Sequence, residues 1–335
     1  MMAQYLKIKE AHRDALLFYR MGDFYEMFFD DAVLAAEALD IALTKRGKHL
    51  GKDIPMCGVP VHSAEGYLLN LIRKGFRVAV CEQMENPAEA KKRGSKSVVK
   101  REVVRLVTPG TLTEDSLLQP RRNNYLAAFS KVRGSAALAW ADISTGELHV
   151  TICPRARLGP ELARLSPSEM LISEKLSADL SELVTETGAA LTPLAPASFD
   201  STNASERLTS LFRVASLDSY GNFGRAEISA LGAIVAYLEL TQKGKLPLLR
   251  PPVRESMGDF LHIDAATRRN LELTRSLTGT RDGSLLDVID RTATAAGARL
   301  LERRLSSPSF SLALINDRQD AVAFMVENEP LRHAL

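Results

Sequence analysis

The chain is poor in the residues that build covalent or metal-held frameworks. Its 335 residues include three cysteines, Cys57, Cys81 and Cys153. The number is odd, the spacings are wide and no two form a C-x-x-C pair. Buried reduced thiols are therefore expected, and a disulfide framework or a zinc site is not. There is no run of about 18 apolar residues long enough to span a bilayer, and no basic-then-apolar leader. Neither membrane insertion nor secretion is expected, and a cytoplasmic location is. Charge of one sign is also lacking: 43 Lys and Arg against 41 Asp and Glu leave a net charge of +2. That balance alone announces no polyanionic partner. A nucleotide-binding loop is missing as well. Gly47 to Asp53 reads G-K-H-L-G-K-D, without the G-x-x-x-x-G-K-[ST] spacing or the hydroxyl that would hold Mg²⁺. No internal repeat or low-complexity tract occurs.

What is present is ordinary globular composition, 45% hydrophobic and 25% charged. At roughly 100–200 residues per domain, two or three domains are expected. The first segment, 1–108, reads as a small mixed α/β domain. Leu16–Arg20 is a compact apolar strand, broken by Met21-Gly22-Asp23. A helical pattern follows from Phe24 to about Ile41, with Tyr25, Phe28, Phe29, Ala32, Ala36 and Leu39 on one face. The polar, basic stretch Thr44–Pro55 reads as a loop. A helix over 63–73 with Ser63 as N-cap, and a strand near Arg77–Glu82, complete the unit. Residues 109–124, with two prolines and a glycine, read as a linker.

The second segment, 125–246, opens with three short strands, 126–129, 137–143 and 148–152, joined by Gly134-Ser135 and Thr145-Gly146 as a meander. Met170–Ile172 is a buried strand, Pro193 and Pro196 fall in a loop, and a long apolar helix covers about 226–241. The third segment, 260–335, is helical and reads as the beginning of a larger unit. Asp264 is placed to cap a helix through Leu277 and Thr294 one through Leu305. A further helix covers about 312–326.

The stretch Phe18–Phe28, F-Y-R-M-G-D-F-Y-E-M-F, supports two readings. In the first, Asp23 and Glu26 form a capping box at a helix start and the aromatics are core. In the second, Phe24 is exposed. On a helical wheel it lies roughly 100° from the centre of the apolar stripe, beside Glu26 and near unpaired N–H groups that favour phosphate. An exposed aromatic wedge can unstack a base step from the minor groove. Unstacking costs least where the base is already mispaired, so selectivity would come from local deformability.

The ordered motifs around this stretch resemble the MutS family of mismatch-recognition proteins. Gly22-Asp23-Phe24-Tyr25-Glu26 looks like its F-x-E motif. The resemblance continues through Leu43–Gly47, Ile54–Pro60, Val80–Gln83, Arg105–Thr111 and Asp264–Glu272, essentially the whole chain in the family's order. It implies that Phe24 stacks on the mispaired base, that Glu26 hydrogen-bonds the same base, and that Met21 packs beside the wedge. Phosphates and burial both favour the protonated carboxyl. A protonated Glu26 could donate to a purine N7, and an ionised one could accept from a thymine N3–H. Lys45, Arg46, Lys48, Lys52 and Arg105, with the basic stretch from Lys91 to Arg101, are candidates for backbone phosphates. For any single lysine a solvated surface is the simpler account.

The resemblance further implies a mismatch-binding domain over 1–108, an RNase H-like connector over 125–246 and the start of a core or lever domain over 260–335. It implies mismatched duplex DNA as partner, with a homodimer, a MutL-type repair partner, ATP and Mg²⁺, and association with the bacterial nucleoid for the full-length family. No catalytic residue, metal or cofactor is expected in these residues. An enzyme reading would make the second segment a nuclease around Asp142, at a strand end where RNase H enzymes carry an acid. Metal-dependent hydrolysis needs several converging carboxylates, none is evident, and a turn-capping aspartate is preferred. A third reading keeps the fold but binds junctions or proteins, leaving the Phe24/Glu26 pair without a use.

Overall fold

The computed structural model describes all residues except Ser95, Lys96, Asp115, Met257 and Leu335, and does not describe the side chains of Pro87 and Lys91. Lys96 and the Lys91 side chain, both in the basic stretch, therefore lie outside the described residues. The first unit contains α1 (Met2–Ala11), β1 (Leu16–Met21), β2 (Phe24–Phe28), α2 (Asp30–Leu39), β3 (Thr44–His49) and β4 (Lys52–Pro60). It continues through α3 (Ala64–Arg73), β5 (Val78–Gln83), α4 (Pro87–Lys92) and β6 (Arg101–Val107). The strands form one sheet in the order β3-β4-β2-β1-β5-β6. Only the β1–β5 pairing is parallel.

β1 reads as a continuous apolar run because both its faces are covered. Leu16 and Phe18 pack with residues of α2 and α3, while Leu17 and Tyr19 pack with Tyr5 of α1. Buried Asp31 pins α1 and α2 to the sheet. It accepts from the Leu17 backbone N–H at 2.9 Å and lies 2.8 Å from Lys9 Nζ.

Two expectations are corrected here. Phe24 opens a strand, and the helix starts only at Asp30. Gly22, at φ +63°, forms a tight turn with Asp23, so that Met21 pairs with Phe24 across a hairpin. Phe29, at φ 57° and ψ −133°, separates strand from helix. The helical spacing of Tyr25, Phe28 and Phe29 is outweighed by backbone pairing to β1 on one side and β4 on the other. Asp23 and Glu26 thus form no capping box, and no helix N-terminus adjoins Phe24. The basic stretch Thr44–Pro55 is likewise not a loop but the hairpin β3–β4, turned at Leu50 and Gly51 with positive φ.

The second unit holds β7 (Tyr125–Val132), β8 (Ser135–Asp142), β9 (Glu147–Ile152), α5 (Arg155–Leu165), β10 (Glu169–Ser173), α6 (Ser177–Glu186) and β11 (Ala190–Leu194). α7 (Ser201–Phe212), α8 (Arg225–Thr241) and the short β12 (Val253–Arg254) follow. The sheet order is β11-β10-β7-β8-β9-β12. The meander β7–β8–β9 is antiparallel, as its turns imply, and β10 and β11 add in parallel. Pro193 sits within β11, not in a loop. It is tolerated because β11 is an edge strand, where a missing N–H costs no ladder bond. α8 packs on one face of the sheet; Leu158, Leu162, Leu180 and Val184 of α5 and α6 pack with Trp140 on the other.

The third unit is helical: α9 (Ala265–Asn270), α10 (Leu285–Ile289), α11 (Ala295–Ser306), α12 (Leu312–Glu327) and α13 (Glu329–Ala334). Asp264 caps α9 through the Thr267 N–H at 2.8 Å, and Thr294 caps α11 through the Gly297 N–H at 3.0 Å. α9 is shorter than its pattern implies, since Leu271 ends it and Glu272 adopts φ +47°.

The first and second units meet at Glu169, which is fully buried. One carboxylate oxygen accepts from Thr108 Oγ1 at 2.5 Å and the Gly110 N–H at 2.9 Å. The other accepts from Thr192 Oγ1 at 2.6 Å and Tyr237 Oη at 2.7 Å. Thr192 in turn accepts from Arg77, just before β5. A Cβ on Gly110 would stand 2.8 Å from Glu169 Cβ and 2.8 Å from Leu126 Cδ1. Glu169→Ala strands four buried donors, and is expected to cost about 2–4 kcal/mol in denaturant unfolding. Gly110→Ala is expected to destabilise by overpacking the same point.

Candidate nucleic-acid interface

In a strand, residues two apart share a face. Tyr25 and Met27 therefore point into the core, at 8% and 0% exposure, while Phe24 and Glu26 share the other face. Phe24 is 47% exposed. The exposure inferred for it is found, but strand alternation produces it rather than the edge of a helical stripe. The hairpin end is braced from below. Arg101, 7% exposed, donates to the Arg20 carbonyl at 2.6 Å and to Met21 Sδ at 3.2 Å, and stacks on Tyr19. Arg20 donates to the Gly22 carbonyl at 2.5 Å. The Val61 N–H donates to the Asp23 carbonyl at 2.9 Å, tying the turn to the end of β4.

Glu26 pairs in register with Gly58, which has no side chain to cover it. Its carboxylate is instead met by Arg46 from β3, in a direct ion pair. The register of β3 slips between Lys45 and Lys48, and Gly47 takes φ +68° within that irregularity. Lys45 pairs with Asp53 at 2.9 Å. Lys48 and Lys52 are exposed and make no ion pair among the described residues. The structure thus brings Phe24, Glu26, Met21 and the β3–β4 basic residues into neighbouring strands.

Arg105 is not brought there. It lies on β6, the opposite edge strand, where it pairs with Glu114 and donates to Thr113 Oγ1 at 2.9 Å. Much of the basic stretch before it is also internally paired: Arg93 with Glu85, and Lys100 with Glu102. Arg101, grouped by its charge with the phosphate candidates, is a buried brace. The signal for that role was its place opposite Gln83 in the β5–β6 pairing, which only the register reveals.

The cysteines are free and buried, and burial pushes the thiols up to about 11 for Cys57 and about 12 for Cys81 and Cys153. Asp142 is fully buried and caps its turn, accepting from the Ser144 N–H at 2.9 Å and Ser144 Oγ at 2.6 Å. Among the described residues no three His, Cys, Asp or Glu side chains converge to hold a metal. No described helix is long and apolar enough to cross a membrane.

These features define a multidomain α/β protein that presents an aromatic–carboxylate pair on a braced hairpin beside a basic one. The chain belongs to the MutS family: residues 1–116 match MutS domain I, 124–250 MutS domain II and 266–335 MutS domain III. It is 69% identical over 335 residues to a DNA mismatch repair protein MutS of Cereibacter sphaeroides, covering 100% of this chain and 38% of that one. It is 68% identical over 332 residues to that of Ruegeria pomeroyi, covering 99% and 38%. With that of Dinoroseobacter shibae it shares 71% over 327 residues, covering 98% and 37%. The chain thus spans well under half the length of these relatives.

Tyr25 donates to Glu82 beneath the hairpin, and burial followed by that carboxylate pushes its phenol up to about 12. A folded-state value above the usual tyrosine value near 10 means that the neutral phenol stabilises the fold fully below about pH 10 and loses that effect as pH rises toward 12. Tyr25→Phe is therefore expected to flatten part of the stability loss between those pH values, measured by urea unfolding across the range.

Proposed function

We propose that the chain reads mispaired or unpaired bases in duplex DNA, with Phe24 as the inserting wedge and Glu26 as the group that hydrogen-bonds the displaced base. The observation that carries this reading is one strand face. A half-exposed phenylalanine and a carboxylate stand two residues apart at the end of a hairpin braced by Arg20 and Arg101. A rigid aromatic of this kind can enter a base step from the minor groove, and the penalty is least at a mispair. The relatives' name, DNA mismatch repair protein, supports it. Met21, next to Phe24 in register, would flank the wedge. Lys45, Arg46, Lys48 and Lys52 would take backbone phosphates. Arg105, held by Glu114 on the far edge, is the weakest member of that set. Arg46 has two demands on it: freeing Glu26 for a base requires its guanidinium to turn from the carboxylate to a phosphate.

The domain division proposed is 1–108, a linker over 109–124, 125–246, and 260–335. The strand order β9-β8-β7-β10-β11, antiparallel then parallel, supports an RNase H-like second unit. Its Asp142 is committed to a turn, so binding rather than hydrolysis is the role proposed for this chain. For the longer protein, use of ATP with Mg²⁺, a homodimer, a MutL-type partner and a cytoplasmic, nucleoid-associated location are proposals from family membership.

Binding is tested with a duplex carrying one G·T mispair or one unpaired thymine against its matched control at fixed salt. Wild type is expected to prefer the defect. Phe24→Ala is expected to abolish the preference, a loss of roughly fivefold to a hundredfold given about 1–3 kcal/mol for one aromatic–base stack. Equal preference in the variant would remove Phe24 from the mechanism. Glu26→Gln keeps one donor and one acceptor but cannot ionise. It is expected to flatten the pH dependence of mismatch binding and reorder mismatch preference; an unchanged profile would show that Glu26 does not touch the base.

A further inference from the structure

A cavity of about 810 Å³ lies away from the hairpin, between α5 and the Trp140 side of the second sheet and the α9–α11 region. Its charge is unbalanced in a specific way. Arg164 is well matched, 2.7 Å from Glu161 and 3.0 Å from Glu255, and lies over the Trp140 ring. Arg268 beside it has no carboxylate partner among the described residues; its Nε donates only to the Ile263 carbonyl, at 3.1 Å. Burial, and then the Arg164 charge, lower the Arg268 guanidinium to about 10.

Arg275 also has no carboxylate partner among the described residues. Arg122 and Arg275 both donate to Ser166 Oγ, at 2.8 and 3.4 Å. The carboxylate nearest Arg122 is Glu302, at 3.9 Å. Burial pushes the Glu302 carboxyl up, and Arg122, Arg281 and Arg275 oppose that rise. His149 completes the wall. Its ring stacks on Trp140 with an 8° interplanar angle, and its buried Nδ1 has no hydrogen-bond partner, with Glu255 3.9 Å away.

A partly buried guanidinium without counter-charge, as at Arg268, is costly, and its fork matches a phosphate or carboxylate edge. A void of this size, polar at two points and lined elsewhere by Leu162, Leu165 and Leu273, has the character of a small-ligand site. We propose that it binds a small phosphate-bearing anion, held by Arg268 and Arg275, the two cavity arginines without a carboxylate partner among the described residues. The site is independent of the Phe24 wedge and does not rest on the function proposed for it.

Trp140 is the single tryptophan of the chain and forms one wall of the cavity, so its emission reports occupancy. The test is calorimetric titration of this chain with pyrophosphate, and separately with a nucleoside diphosphate, at constant ionic strength, with Trp140 emission read in parallel. Saturable one-to-one binding with an emission change is expected. The double variant Arg268→Ala/Arg275→Ala is expected to weaken it at least tenfold, with melting temperature nearly unchanged because both side chains are at least partly exposed. Phe24→Ala is expected to leave it untouched. Equal affinity for the two ligands would assign recognition to the phosphates alone, and tighter binding of the nucleoside diphosphate would assign the apolar wall to the nucleoside. Absence of saturable heat with either ligand, or affinity undiminished in the double variant, would overturn the proposal.

Discussion

Glu169 is the constraint on which the arrangement of the first two units depends. A buried carboxylate is tolerated only when its lone pairs are answered. Here they are answered from the residues after β6, from β11 and from α8. The donors are not interchangeable with solvent, so the residues leaving the first sheet have one low-energy position against the second. Gly110 is required at that point because its N–H must reach the carboxylate through a space that a methyl group would fill. Arg77 extends the same network to the start of β5 through Thr192.

The hairpin carries the same logic on a smaller scale. Phe24 is exposed, yet everything below it is fixed: Tyr25 and Met27 are in the core, Arg101 lies beneath Met21, and Val61 closes the turn. Exposing an aromatic costs solvation, and its setting does not permit it to fold back into the core. Glu26 is treated differently. It is partly covered and matched by Arg46, a pair with one side chain well exposed to solvent and hence of small net worth. A weak contact at the one point where a ligand would intervene is compatible with exchange. The strong contacts lie behind it.

Legibility differed between the elements for identifiable reasons. The β7–β8–β9 meander and the α8 helix could be read directly, since their turns and apolar runs are local signals. So could the caps at Asp264 and Thr294, each a side-chain oxygen three residues before its N–H donor. Phe24–Phe28 could not. Its spacing fits a helix as well as a strand over so short a window, and pairing with β1 and β4 decided the outcome. The Thr44–His49 strand was hidden by its charge, because an exposed edge strand has no apolar face to reveal it.

By itself the sequence determined which residues belong together: the ordered motifs of the MutS family, the F-x-E spacing and an ordinary globular composition are properties of the linear chain. Tertiary structure decided what each of those residues faces. It put Phe24 and Glu26 on one side of a strand, set Arg46 against Glu26 across β4, and turned Arg101 from a surface charge into a buried brace. It also placed Arg105 on the opposite edge. The physical reason is that facing depends on register and on partners distant in the chain, and a single-residue shift in pairing would reverse every side chain of β2.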